Sequence, residues 1–186
     1  MNKYNCLDIE KFSLNDYTLI PIRQEDIQSI RNWRNQQMDV LRQKKPISEN
    51  EQEQYYKKTI KKDFYENEPE QILFSFLLKN KCIGYGGLVH IDWERKIAEL
   101  SFLNETSRAK NLELYFEDFS KFLKIIFKIV FYNLKFNELV TETYNIRPKT
   151  IEILEMFGFK KKNTLKNHVK IDGKLIDSLI FSLENK

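Results

Sequence analysis

The chain has 186 residues, enough for one domain with a full core, and residues 1–186 are expected to form a single unit. Its 31 basic and 27 acidic residues leave a formal charge of +4, too mild to argue for a nucleic-acid partner. Cys6 and Cys82 stand alone, which excludes a disulfide framework and a cysteine-based metal site and points to a reducing, cytoplasmic setting. The opening "MNKYNCLDIEKF" has no apolar core of a signal peptide, and no apolar run reaches the length of a membrane span.

In chain order, "YTLIPIR" (17–23) reads as a strand, being rich in apolar and β-branched residues. Residues 24–41 read as a helix, with Ile27, Ile30, Trp33 or Arg34, and Met38 near one face. Pro46 interrupts, and "SENE" (48–51) fits a capping box that starts a second helix running to about Lys62. After an acidic loop, "ILFSFLLK" (72–79) is a buried strand and "NK" (80–81) a tight turn. "CIGYGGLVHI" (82–91) is a strand whose three glycines let another backbone or a ligand approach closely. "IAELSFL" (97–103) follows as a strand. Leu112 to Leu134 carry the longest amphipathic pattern, the expected main core helix.

"NELVTETY" (137–144) is the next strand. In "IRPKTIEILEMFGFKK" (146–161) Pro148 suits a first helical turn, and Gly158 suits the left-handed residue that closes the helix. Phe159 then starts a strand. "HVKIDGKLIDSLIFSL" (168–183) is a hairpin about Asp172-Gly173. The order β-α-α-β-β-β-α-β-α-β-β gives a mixed sheet with helices on both faces. The lysine-rich "FKKKNTLKNHVK" (159–170) sits in a chain rich in lysine throughout and is weak evidence for a nucleic-acid partner.

Glu99 stands out on physical grounds. Alternation places Glu99, Ser101 and Leu103 on one face of their strand, and Ala98, Leu100 and Phe102 on the other. A carboxylate in a central strand is costly unless it has a task or a partner, and Arg34 is a candidate partner. His90 ends the glycine-bearing strand, and its reference pKa near neutrality suits proton transfer or substrate orientation. Trp33 and Arg34 combine a flat aromatic with a forked cation, a pairing that suits a sugar ring or a phosphate. His168 opens the last hairpin and is given no role.

The element order, the "EMFGF" helix end, "IAELSFL" and the closing hairpin together resemble the GNAT N-acetyltransferase superfamily over residues 17–183. The resemblance implies a mostly antiparallel central sheet of about seven strands, flanked by four helices and splayed between the fourth and fifth strands. It also implies acetyl-CoA as co-substrate, no metal, and direct attack of an amine within a ternary complex. "IRNWRN" (30–35), "PISENE" (46–51) and "GGLVHIDWERKIAELSFL" (86–103) look like the branch that acetylates protein N termini and the amino groups of nucleotide-linked sugars.

On this resemblance Glu99 is the general base, with His90 as a second candidate. Trp33, Arg34 and His90 belong to the acceptor site. Ser101, Phe102 and Leu103 provide backbone N–H groups where the sheet opens for the pantetheine arm. Asn145, Arg147 and Thr150 begin the helix that lies beside CoA.

Two departures bear on this expectation. The glycine-rich pyrophosphate loop of the family is replaced by "LNETSRAKNLELYF" (103–116), which has no glycine. Arg108, Lys110 and Asn111 would then bind phosphate with side chains and the helix N-terminus, or CoA binding has been lost. The tyrosine expected four residues before the "GF" glycine is Leu154, which leaves Tyr144 as the substitute acid, or no acid at all.

The expected acceptor is a small-molecule amine, an amino-sugar nucleotide for surface polysaccharide. A protein N-terminal acetyltransferase and a non-catalytic binding module of the same fold are the alternatives. No nucleic acid and no membrane span are expected; the oligomeric state, a homodimer included, stays open.

Overall fold

A computed structural model of the protein describes residues 3–185. Eight strands form one sheet in the order β1-β2-β3-β4-β5-β6-β8-β7. They are β1 (Phe12–Leu14), β2 (Tyr17–Pro21), β3 (Ile72–Leu78), β4 (Lys81–Asp92), β5 (Ile97–Asn104), β6 (Glu138–Tyr144), β7 (Lys160–Ile171) and β8 (Lys174–Glu184). All neighbouring pairs run antiparallel except β5 and β6, which are parallel. The strand beyond the seven expected is the three-residue β1, too short to show in a period-two pattern.

The helices are α1 (Ile27–Gln36), α2 (Glu49–Tyr55), α3 (Lys61–Asp63), α4 (Thr106–Lys110), α5 (Leu112–Phe127) and α6 (Pro148–Met156). The helix expected over 24–41 is shorter than its periodicity suggested. It is α1 flanked by 3-10 turns at Gln24–Asp26 and Met38–Val40. The capping box at α2 is present: Glu51 N–H donates to Ser48 Oγ at 3.2 Å, and Ser48 N–H donates to Glu51 Oε2 at 2.8 Å. Between α2 and α3 the chain widens into a π-helical turn over Tyr56–Ile60, so the two read together as the single helix expected.

The C-terminal end of α6 is closed by two backbone hydrogen bonds. Phe159 N–H reaches Leu154 C=O and Gly158 N–H reaches Glu155 C=O, both at 3.0 Å, with Gly158 at φ +89°. These are the paired bonds of a Schellman cap, which needs a left-handed residue at that point. The chain then turns directly into β7, eight residues before the hairpin boundary expected at His168. The Asp172-Gly173 turn has φ of +47° and +79°, as a type I′ turn requires. The β3–β4 turn is Lys79-Asn80, one residue earlier than expected, and Leu78 pairs with Lys81 across it.

The α5 side of the sheet is an aromatic core. Phe102 stacks on Phe119 at 4.8 Å, and Phe76 meets Phe122 edge to face at 5.7 Å. Close approach is the reason for glycine in β4: a Cβ on Gly87 would lie 1.9 Å from the Ile72 carbonyl oxygen. The neighbour that this glycine admits is strand backbone, not a ligand. Among the described residues no helix is long and apolar enough to cross a membrane.

Candidate active site

The site is made by a failure of pairing. β5 and β6 are in register only over Ile97↔Glu138, Ala98↔Leu139 and Glu99↔Val140. Beyond Glu99 the two strands part, and the β5 edge that faces β6 has no ladder partner. α5 is the crossover between them, and its bulky aromatic face sits where the strands separate. A cavity of about 780 Å³ fills the opening. Glu99, Ser101 and Phe102 line it from β5, and Thr141, Glu142 and Tyr144 from β6.

Glu99 is partnered by Arg42, not by Arg34 as expected. Arg42 Nη2 lies 2.8 Å from Glu99 Oε1, and the same guanidinium donates two bonds to Glu142 Oε2. One cation on the loop after α1 therefore bridges two carboxylates across the parting strands. Burial pushes the Glu142 carboxyl up, but hydrogen bonds from Ser178 and Arg42 outweigh it and hold the group below its ordinary value. His168 Nδ1 stands 3.2 Å from Glu142 Oε1 and 2.8 Å from Ser178 Oγ. His90 Nε2 stands 4.0 Å from Glu99 Oε2. Two carboxylates share the one guanidinium, so their formal charges sum to a net negative. The cluster therefore favours a cation beside Glu99.

His90 sits in a β-bulge rather than in a regular strand end. The β4–β5 register slips between Val89 and Asp92, and His90 has φ +49°. The bulge turns its largely exposed ring toward Glu99. Tyr144 is buried at the cavity wall, where burial and the Glu142 charge raise its hydroxyl above the ordinary tyrosine value. Arg147 and Thr150 line the α6 side and are bonded to Tyr115: Arg147 Nη2 donates to its hydroxyl at 3.1 Å, and Thr150 Oγ1 lies 2.9 Å from it.

Arg34 lines the cavity but is held by Gln43 Oε1 and the Tyr85 hydroxyl. Trp33 does not reach the cavity. It packs against the hydrophobic core, because its place on α1 turns it away from the opening.

The glycine-free segment is built differently from the expectation. Arg108 gives Nε and Nη2 to Asp118 at 2.6 and 2.7 Å, and Asp118 is fully buried. Tyr17 Oη and Asn104 Nδ2 complete the shell of that carboxylate at 3.3 and 3.1 Å. The side chain expected to meet phosphate is thus an internal counter-ion. Asn111 is extended (φ −93°, ψ 109°), not left-handed, and its Oδ1 accepts from Glu113 and Leu114 N–H at 3.1 Å each. It caps α5 and covers the donors an anion would use. Lys110 and Asn145 are exposed, and Leu103 is buried; none of the three lines the cavity.

Sequence reasoning missed Arg42, Glu142 and Tyr115. Glu142 in "ELVTETY" carries the same signal as Glu99, a carboxylate inside a sheet strand. Arg42 lies in a loop with no periodicity, so nothing local marked it.

The comparisons with known proteins fit this geometry. Residues 19–180 match the family described as acetyltransferase (GNAT) domain. The chain belongs to the GNAT acetyltransferase family. No curated protein matches it. Among solved structures, mutant forms of the spermidine/spermine N-acetyltransferase SpeG from Vibrio cholerae superpose with a TM-score of 0.76 at 19% identity, covering 92% of this chain and 95% of that one. The spermidine N-acetyltransferase from Vibrio cholerae in complex with CoA and spermine gives 0.74 at 18% identity, covering 92% and 97%. A structure described as a putative acetyltransferase gives 0.68 at 14% identity, covering 95% and 87%. At these identities the likeness concerns the fold.

Proposed function

We propose that this GNAT-family chain transfers the acetyl group of acetyl-CoA to the primary amine of a small molecule, with Glu99 as general base. The observation that carries the reading is Glu99 on the cavity wall at the last paired position before β5 and β6 diverge. An amine reaches the site as an ammonium, and the net negative Glu99–Arg42–Glu142 cluster draws it in. Glu99 takes its proton, directly or through a water, and leaves a neutral nitrogen able to attack. Acetyl-CoA supplies the acetyl group as an activated thioester. The backbone N–H of Phe102 points to the unpaired edge, because Ser101 and Leu103 turn theirs toward β4, and it would meet the negative oxygen. Tyr144 keeps its proton because burial and Glu142 oppose its ionisation, so it suits a hydrogen bond to the departing thiolate. Cys82 is no nucleophile: burial pushes its thiol up to about 12.

The residues present suit the pantetheine end of CoA, which would lie between the parting strands. At the phosphate end they suit it less directly, since Arg108 and Asn111 are already engaged. That engagement favours one other reading, a module of the same fold that no longer turns over. The amino-sugar nucleotide expected from the sequence remains one candidate acceptor, and a polyamine of the kind named for the Vibrio cholerae structures is another; both offer a primary amine.

Steady-state assays with acetyl-CoA against amino-sugar nucleotides, polyamines and short N-terminal peptides test the reading. Glu99→Gln should lower kcat by about 10²–10⁴-fold, the usual size of general-base catalysis, with cofactor affinity kept. Turnover that is indifferent to Glu99→Gln removes the base. Absence of acetyl-CoA binding by thermal shift moves the chain to the non-catalytic reading.

A further inference from the structure

A second cavity of about 340 Å³ lies beside the first and is lined by residues of α1 and α2. The two share Arg34, Tyr55, Gln71, Val89 and Ser101 as lining, so they lie side by side, and a ligand group that passes these residues enters the second. Ile22, Ile30, Ile60 and Leu73 supply its buried apolar lining. Set into that lining is Gln52. Its side chain has no hydrogen-bond partner among the described residues, yet the residue is only 4% exposed. A primary amide offers two donors and an acceptor, and here they open onto the cavity rather than onto protein partners. It marks a place where a ligand group completes the site.

Charge decides what kind of ligand. Among the lining residues the formal charges are Arg34 and Glu51. Glu51 is committed to the α2 cap: Oε2 takes the Ser48 N–H and hydroxyl at 2.8 Å each, and Oε1 takes Lys45 Nζ at 3.3 Å. No uncommitted carboxylate faces this space, and Arg34 does. A second ammonium there would lose its hydration and meet a cation. Distance then sets the reach. Glu99 and Ser101 share a face two residues apart, about 6–7 Å along a strand. An amine at Glu99 therefore delivers the group three to five bonds away into the second cavity.

Resting on the reading of Glu99 as the base that receives an amine, we infer that the acceptor is a monoamine with a compact, uncharged body. One face of that body is apolar, and a hydroxyl or carbonyl opposite the amine is bound by Gln52. A polyamine does not fit this subsite, whereas a deoxy-sugar ring does.

Three probes of one shape test this: trans-4-aminocyclohexanol, cyclohexylamine, and trans-1,4-diaminocyclohexane. Binding to the full chain is read by isothermal titration without acetyl-CoA, so the result does not depend on turnover. In the parent the amino alcohol should bind about fivefold tighter than cyclohexylamine, the size of one net hydrogen bond. The diamine should bind weakest. Gln52→Leu should bring the alcohol and cyclohexylamine level. Gln52→Glu should raise affinity for the diamine at least fivefold, a gain that a misfolded variant does not produce. Equal affinity for all three probes, no binding of any, or preference for the diamine in the parent overturns the inference. Acetylation of the same probes reads the base separately: selective binding without Glu99-dependent turnover defeats the catalytic reading and leaves the subsite standing.

Discussion

Replacing Arg108 separates a phosphate-binding arginine from a structural one. Arg108 provides two of the four hydrogen bonds to Asp118, at 2.6 and 2.7 Å, and carries the formal positive charge among those four donors. In Arg108→Ala only Tyr17 and Asn104 remain to meet the carboxylate, which is fully buried in the parent. Breaking a buried pair by removing one partner costs about 3–5 kcal/mol. At about 2–4 °C per kcal/mol for a chain of this size, the Tm should fall by roughly 6–20 °C. The double variant Arg108→Met with Asp118→Leu should recover part of that loss, since the uncompensated charge goes with it. CoA affinity, titrated at low temperature where the variant is still folded, should change less than twofold. A Tm drop below about 2 °C refutes the reasoning, as does an unchanged Tm with CoA binding weakened by about 1.5–3 kcal/mol, the range for hydrogen bonds to a charged group.

Two further perturbations test the frame of the site. Gly87→Ala adds a Cβ 1.9 Å from the Ile72 carbonyl oxygen at φ +150° and should cost about 2–6 kcal/mol from overpacking and backbone strain together; a urea midpoint equal to the parent's would overturn this. Glu142, held below its ordinary value in the folded chain, contributes stability that is fully present above its unfolded pKa of about 4.3 and is lost as pH falls through the lower folded value. Arg42→Ala should flatten that acid limb in urea midpoints taken between pH 3 and 7; an unchanged limb would remove Arg42 from the account.

Much of the fold was legible because it rests on local periodicity. The "EMFGF" end, the Ser48–Glu51 box and the Asp172-Gly173 turn each name their own backbone geometry, and each is found in the structure. Glu99 was legible for a related reason, since a carboxylate in an apolar strand contradicts its surroundings. The partners were not legible. Whether Glu99 meets Arg34 or Arg42 depends on the path of the 37–47 loop, and no pattern of spacing encodes that path. Residue type and the family resemblance both put Trp33 in the acceptor site, but a helix position one turn from Ile30 also suits core packing, and packing prevailed. Arg108 shows the same limit. An arginine after a strand reads as an anion site until the buried acid ten residues on is seen to claim it, and Asp118 lay hidden inside a helix whose pattern drew attention only to its apolar face.

The α5 N-terminus is where the chain departs furthest from the glycine-rich loop of its family, and the departure has a sign that can be measured. Asn111 Oδ1 takes the N–H groups of Glu113 and Leu114, which point out of the first turn of a sixteen-residue helix. A pyrophosphate at that turn would use the same donors. Either the anion displaces the Asn111 side chain, or it binds elsewhere and leaves the cap in place. In the first case the cap bond opposes binding. An N-cap side chain contributes about 0.5–2 kcal/mol against alanine, while glycine at the same position costs the helix only a few tenths. Asn111→Gly should therefore leave the Tm within about 2 °C of the parent and tighten CoA by roughly two- to thirtyfold, the cap energy converted at 1.4 kcal/mol per decade. The comparison uses desulfo-CoA by isothermal titration, so that acyl chemistry does not enter. Binding weakened by the substitution would mean that Asn111 itself holds the cofactor. Binding left unchanged would place the pyrophosphate away from α5, with the exposed Lys110, next to Asn111 in the chain, as the cation to test next.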